Sequence, residues 1–300
     1  MRGARLLSRS KMDAGNLRIG LIQMSCTADP AANLDQAAKR IEEAAEHGAT
    51  VVCLQELYRS QYFCQSERND MFDLAEPIPG PTTERLGRVA AAHKVVVIAP
   101  IFERRAEGVY HNSAVVLDET GSVAGLYRKM HIPDDPGYYE KFYFAPGDLD
   151  FIAHRTTRGS LGVLICWDQW FPEAARLTAL SGAQILFYPT AIGWTPDMSP
   201  AVRKRVQNAW ETVQRGHAIA NGVFVAAVNR SGVEGDIQFW GNSFVADPFG
   251  EVIARADAIK EEILVVDCDL NLIEDTRRNW PFLRDRRIDA YQDLTRRFRS

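Results

Sequence analysis

Apolar residues along this chain fall into short runs rich in Val and Ile, separated by longer stretches in which they recur every three or four positions. The first pattern is that of strands buried in a sheet, the second that of helices with one apolar face. LRIGLIQMSC, from Leu17, reads as a strand. A helix follows, opened by Asp29 as cap with Pro30 in its first turn and closed at Gly48. A cap carboxylate accepts from the free N–H groups there, and proline has none to leave unpaired. TVVCLQEL is then a buried strand running into polar residues, a helix covers TTERLGRVAAAHK, and VVVIAPIFER is the next strand. NSAVVLDETGSVAGLYRKMHI reads as a hairpin turning at Glu119 to Gly121.

The second half repeats the scheme. GSLGVLICW, a helix from Pro172, QILFYPTAIG, a long helix over AVRKRVQNAWETVQRGHAIAN, VFVAAVNRSG and a hairpin through NSFVADPFGEVIARA follow in order. Two similar halves predict an α/β fold in which two sheets pack face to face with helices outside, a four-layer αββα sandwich; periodicity alone leaves an open doubly wound sheet as the alternative. Without a low-complexity break, residues 17–270 form one domain. Residues 1–16, basic and without an acid before Asp13, read as a flexible leader more readily than as a targeting segment. Residues 271–300 contain TRRNWPFLRDRRIDAY, whose five arginines and whose Trp280, Phe282 and Tyr291 suit either a solvated helix or an intersubunit arm of a homo-oligomer.

Composition narrows the function classes. A net charge of −4 with both signs interspersed leaves no basic surface for a phosphate backbone, so nucleic acid is not an expected partner. No run approaches the ~20 apolar residues of a membrane helix. The five cysteines, Cys26, Cys53, Cys64, Cys166 and Cys268, are widely spaced without a CxxC pair, which fits a reducing cytoplasm better than a disulfide framework or a zinc site.

Three chemically capable side chains stand at or just after the ends of apolar strands: Glu56 in VVCLQELY, Lys129 in LYRKMHIP and Cys166 in VLICWDQW. Ligands of α/β proteins gather at such strand ends. A thiol needs a proton acceptor to become a nucleophile, which Glu56 can be, and a lysine can face the oxyanion formed when a carbonyl is attacked. Each alone has a plainer reading. A strand cysteine is usually core, as Cys26, Cys53 and Cys268 are taken to be, and a charged residue at a strand end is usually solvated. His131 reads as a loop-orienting residue, and Glu173 and Arg176, three apart on a helix, as a structural pair.

The blocks LQELY, YRKMHIP and CWDQWFPEAAR resemble the signature segments of the nitrilase, or carbon-nitrogen hydrolase, superfamily, from about Leu17 onward. The resemblance implies the αββα sandwich and a triad of Glu56 as base, Lys129 as oxyanion-stabilising cation and Cys166 as nucleophile, with Glu140 of GYYEKFYF as the second glutamate beside the lysine. Longer blocks, RKMHIPDDPGYYEKFYFAPGD and RDRRIDAY among them, are similar to the branch acting on N-carbamoylputrescine. That branch often reads Ile-Gly-Ser-Glu-Pro where this chain has Ile192-Gly193-Trp194-Thr195-Pro196, so Asp197 becomes the nearest acid for a distal ammonium. Tyr62, Trp170 and Trp194 are the expected pocket wall, and Trp167 brings a backbone N–H to the oxyanion.

The implied reaction is hydrolysis of a ureido or amide C–N bond through a covalent cysteine adduct, with a small-molecule substrate and no cofactor or metal. Superfamily members acting on β-ureido acids or ω-amides are the alternative; their substrates end in a carboxylate and need an arginine, for which Arg203 and Arg230 are candidates. A catalytically silent binding subunit would not need the intact Glu, Lys and Cys, and a redox-sensing thiol would need a resolving partner that no residue nominates.

Overall fold

A computed structural model describes residues 15–299; residues 1–14, most of the segment read as a leader, and Ser300 lie outside it. The first half runs through β1 (Asn16–Gln23), α1 (Pro30–Glu46), β2 (Val51–Leu54), α2 (Pro81–His93), β3 (Val96–Ala106), β4 (Val109–Leu117) and β5 (Val123–Arg128). The second runs through β6 (Ala153–Thr156), β7 (Gly159–Val163), α3 (Pro172–Leu180), β8 (Ile185–Pro189), β9 (Gly193–Trp194), α4 (Pro200–Asn221), β10 (Phe224–Val228), β11 (Ser231–Glu234), β12 (Ile237–Trp240), β13 (Phe244–Ala246) and β14 (Val252–Arg255). The chain then crosses back with β15 (Glu262–Asp269) and ends in α5 (Asn271–Asn279) and short turns.

Two six-stranded sheets result, in the orders β15-β1-β2-β3-β4-β5 and β14-β13-β10-β8-β7-β6. Each has three parallel strands at its centre, β1, β2 and β3 in one and β7, β8 and β10 in the other, with an antiparallel hairpin on one side and a single antiparallel strand on the other. The halves are therefore one topology used twice. Side-chain alternation decides how the sheets stack. On β2, Val51 and Cys53 enter the core shared with the second sheet, whereas Val52 and Leu54 face α1 and α2; on β3, Val96 and Ile98 divide from Val97 and Ala99 in the same way. The inner faces meet where β2 lies over β8 and β1 over β10. This is the αββα sandwich, and the open sheet is excluded.

Local chemistry sets the helix ends. The Asp29 carboxylate accepts from the N–H groups of Ala31, at 2.8 Å, and Ala32, at 3.3 Å, with Pro30 at the first helical position. α2, α3 and α4 likewise open with a proline, and α4 closes on Gly222 in the left-handed region. Cys26, Cys53 and Cys268 are buried, as strand packing predicts. Among the described residues no helix is long and apolar enough to cross a membrane.

Two expectations are corrected. The tail is not one solvated helix: α5 stops at Asn279, and the residues beyond it form short turns that leave Trp280 and Phe282 exposed. Glu173 and Arg176 do not pair. Arg176 is turned toward Arg286 and Tyr291 of the C-terminal segment, where burial and the neighbouring guanidinium lower its pKa.

α2 meets the β4–β5 turn through two glycines. A Cβ on Gly87 would lie 2.6 Å from the Gly121 carbonyl oxygen, and Gly121 itself has φ +85°. Gly87→Ala must push helix and turn apart, at a cost of about 1–3 kcal/mol. Urea denaturation is expected to show that loss while activity per folded molecule stays at the wild-type level; unchanged stability would mean that the contact is looser than described.

Candidate active site

Four segments converge between the sheets. Glu56 follows β2, Lys129 follows β5, Glu140 opens a single 3-10 turn, and Cys166 begins another just after β7. Lys129 has no solvent exposure; its Nζ donates to Glu56 Oε1 at 2.8 Å and to Glu140 Oε2 at 2.6 Å, and both carboxylates are fully buried too. Asn112 of β4 donates its amide to Glu56 Oε1 at 2.7 Å, and Tyr62 donates its hydroxyl to Glu140 Oε1 at 2.7 Å. Among the described residues, Glu56 Oε2 has no hydrogen-bond donor. Burial alone would lower the pKa of Lys129, but the charges of Glu140 and Glu56 outweigh it and hold it well above the usual lysine value. Burial, with the Glu56 charge beside it, raises that of Glu140 even against the lysine.

Cys166 has φ +42°, a left-handed conformation that a side chain with a Cβ adopts at a cost. The strain presents the thiol at a sharp turn between β7 and α3, with Sγ 4.0 Å from the Ala191 carbonyl oxygen. Burial pushes the thiol pKa well above its ordinary value, Glu56 adds to the shift and Lys129 opposes it. The resting group is therefore a thiol, and making it a nucleophile requires handing its proton to a nearby base.

A cleft of about 660 Å³ opens on Cys166. Trp167 and Trp170 line it, as do Tyr138, Tyr139, Ile237 and three aspartates, Asp135, Asp197 and Asp236. Among the described residues, no lysine, arginine or histidine lines it. Asp197 accepts a hydrogen bond from the Thr195 hydroxyl, so the threonine at the departing position orients the acid two residues on.

Trp194 does not line the cleft. Pairing of β9 with β12 turns its ring onto Trp240, at 5.6 Å, with Arg203 over its face. Tyr62 is one layer back, its ring 5.6 Å from Tyr138. Neither arginine considered for a substrate carboxylate reaches the cleft. Arg203 donates to the Met198 carbonyl, and Arg230, fully buried, bonds Glu234 and the carbonyl oxygens of Glu56, Leu57 and Ser60. His131 donates to Asp168, consistent with an orienting role.

Sequence reasoning missed Asn112, Asp135, Asp236 and Asp168. Asn112 had at most a faint signal, the polar triplet His111-Asn112-Ser113 that precedes the apolar run of β4. Asp236 had none, because the three-stranded sheet β11-β12-β9 that brings it to the cleft is built from strands too short to show alternation.

A thiol, a buried carboxylate with a free oxygen and a buried ammonium beside a cleft are the equipment of a hydrolase working through a covalent adduct. The carbon-nitrogen hydrolase family model matches residues 18–278, and the chain belongs to that family. It is 46% identical to the N-carbamoylputrescine amidase of Oryza sativa subsp. japonica, over 92% of this chain and 93% of that protein. It is 39% identical to a citrullinase of Francisella tularensis, over 94% of this chain and 99% of the other. The crystal structure of a carbon-nitrogen hydrolase from Helicobacter pylori superposes with a TM-score of 0.92 at 50% identity, covering 95% of this chain and all of that one.

Directly before Lys129, Arg128 makes a two-pronged pair with buried Glu103, at 2.8 and 2.6 Å. Burial works to raise the Glu103 pKa, but the hydrogen bonds from Arg128 and Ser113 outweigh it and hold the carboxyl below its ordinary 4.5. A lowered native pKa gives stability that is present above the unfolded value and lost as pH falls through the native one. Urea midpoints of wild type should therefore fall below about pH 4.5, and Glu103→Gln should be less stable at neutral pH yet lose less on acidification. An equal acid slope in both proteins would contradict the pairing.

Proposed function

We propose that this chain hydrolyses the terminal ureido group of N-carbamoylputrescine to putrescine, ammonia and carbon dioxide. Glu56 accepts the Cys166 proton through its free Oε2, and the thiolate attacks the ureido carbonyl. Lys129 and the backbone N–H of Trp167 stabilise the oxyanion. Glu56 returns the proton to the departing nitrogen as the C–N bond breaks, leaving a carbamoyl thioester. Water, deprotonated by Glu56, releases a carbamic acid and regenerates the thiol; the carbamic acid decays to carbon dioxide and the second nitrogen product. Glu140 holds the lysine as a second carboxylate beside Glu56.

The observation that carries the substrate assignment is the charge of the cleft: among the described residues, three aspartates and no basic residue line it. A distal ammonium finds partners there, whereas a substrate ending in a carboxylate finds none. The rice relative is named for this activity. Citrulline, the substrate in the Francisella relative's name, carries the same ureido group but adds a carboxylate. Exposed Trp280, Phe282 and Tyr291 support residues 271–300 as an arm packing on a second copy of the chain. Five unpaired cysteines suit a reducing cytoplasm.

Cys166→Ala should abolish ammonia release with the circular dichroism spectrum unchanged. Glu56→Gln and Lys129→Met should stay folded and lose about 100-fold or more in kcat; near-wild-type turnover by any of the three would remove the role assigned to it.

Steady-state assays with N-carbamoylputrescine, L-citrulline and β-ureidopropionate should favour the first. Asp197→Asn should cut its kcat/KM about 10- to 100-fold while leaving a neutral amide of similar length almost unaffected. Equal losses on both, or β-ureidopropionate as the better wild-type substrate, would end the diamine assignment and leave the hydrolase chemistry standing.

A further inference from the structure

We infer that Asp168 is a positioning residue that holds Lys129 in register with Cys166. Its carboxylate is fully buried and accepts four hydrogen bonds. Oδ1 takes the backbone N–H of His131, at 3.0 Å, and its ring Nδ1–H, at 2.7 Å; Oδ2 takes the Tyr127 hydroxyl, at 2.7 Å, and the backbone N–H of Ile165, at 2.9 Å. Tyr127 and His131 stand two residues before and two after Lys129. Ile165 stands one residue before Cys166 and Asp168 itself two after it. One carboxylate thus closes a hydrogen-bonded ring around both reacting residues.

The site needs such a device because the two residues come from different sheets. Lys129 is bonded to Glu56 and Glu140, both outside the cysteine turn, and the Cys166 thiol meets the Ala191 carbonyl. Between the sheets the contact is mostly apolar, and the hydrophobic effect is non-directional, so it does not by itself set the register of one side chain against another. Hydrogen bonds are directional. Asp168 also helps close the turn that holds Cys166 in its left-handed conformation, since its own N–H donates to the Ile165 carbonyl at 3.0 Å. The His131 ring, stacked on Phe171 at 3.7 Å, braces the Lys129 side against the segment after the nucleophile.

Only an ionised carboxylate serves all four donors. An asparagine keeps one acceptor oxygen and turns its NH2 toward two of them. This inference rests on the roles proposed for Cys166 and Lys129, and its test separates the two. Tyr127→Phe removes one hydroxyl, changes no charge and should lower kcat about tenfold with KM unchanged. Asp168→Asn should lower kcat about 100-fold, the scale of a misplacement near 1 Å, and the double variant should be no slower than Asp168→Asn. Tyr58→Phe, another buried tyrosine whose hydroxyl has no partner, is the control expected to match wild type. A substrate-independent readout is alkylation of Cys166 by iodoacetamide, followed by mass spectrometry across pH. With Glu56, Lys129 and Glu140 as the charges near the thiol, a displaced lysine should move the alkylation midpoint of Tyr127→Phe to higher pH. Wild-type kcat and an unmoved midpoint in Tyr127→Phe, a loss confined to KM, or losses that multiply in the double variant would overturn the inference. Should Asp168→Asn not fold, Tyr127→Phe decides alone. Activity surviving in Cys166→Ala would sink the proposed reaction instead.

Discussion

An ammonium taken wholly out of water is tolerated only where carboxylates replace its hydration, since the desolvation penalty is several kcal/mol per ion. Lys129 is such a group, and much of the architecture serves its two partners. Glu56 comes from the end of a central parallel strand and Glu140 from a turn that follows the lysine itself. Two carboxylates around one cation leave a surplus negative charge, and the donors that share it, Asn112 and Tyr62, come from a third and a fourth segment. Moving any one of these segments would leave a buried charge without its partner. The cluster is therefore stiff for the same reason that it is costly.

A second buried ion pair obeys the same rule and stiffens the other wall. Arg230, just after β10, pairs with Glu234, and Glu234 in turn accepts the backbone N–H of Tyr62. Nη1 also donates to the Ser60 carbonyl oxygen and Nη2 to those of Glu56 and Leu57. Leu57 has φ +49°, so the arginine holds a strained turn directly after the proposed base. Five donors in a planar fork suit that task, which a lysine could not perform. A buried arginine that sequence alone offered as a substrate anchor is a fastener between the sheets.

What the sequence made legible follows from the range of each interaction. Strands buried on both faces and helices with one apolar face leave periodic marks, so the elements, the capped start of α1 and the repeated half could be read directly, whereas the choice of a sandwich over an open sheet needed the family blocks. Glu56, Lys129 and Cys166 could be read because strand ends are where α/β folds keep chemistry, and the family blocks added Glu140. Contacts across the sandwich left no mark. Nothing local says that Asp168 meets Tyr127, which depends on how two sheets come together across a chain separation of 41, or that Trp194 turns onto Trp240 and away from the cleft, which depends on the pairing of β9 with β12. The small sheet over the cleft was unreadable for another reason: two to four residues cannot show an alternation.

The cleft and the reacting centre place opposite demands on charge. Three aspartates and the surplus of the lysine cluster make a negative region that draws in a cationic substrate and repels an anionic one. The same region opposes the oxyanion that the proposed reaction must form. Distance resolves the conflict. At an effective dielectric of about 20, a charge 4 Å away contributes about 4 kcal/mol and one at twice that distance about half, and the open mouth of a cleft adds further screening. Selection can thus be left to acids along the cleft, while stabilisation of the oxyanion must come from donors in direct contact with it. On the proposed reaction, that requirement accounts for an ammonium buried behind a cleft whose lining is acidic.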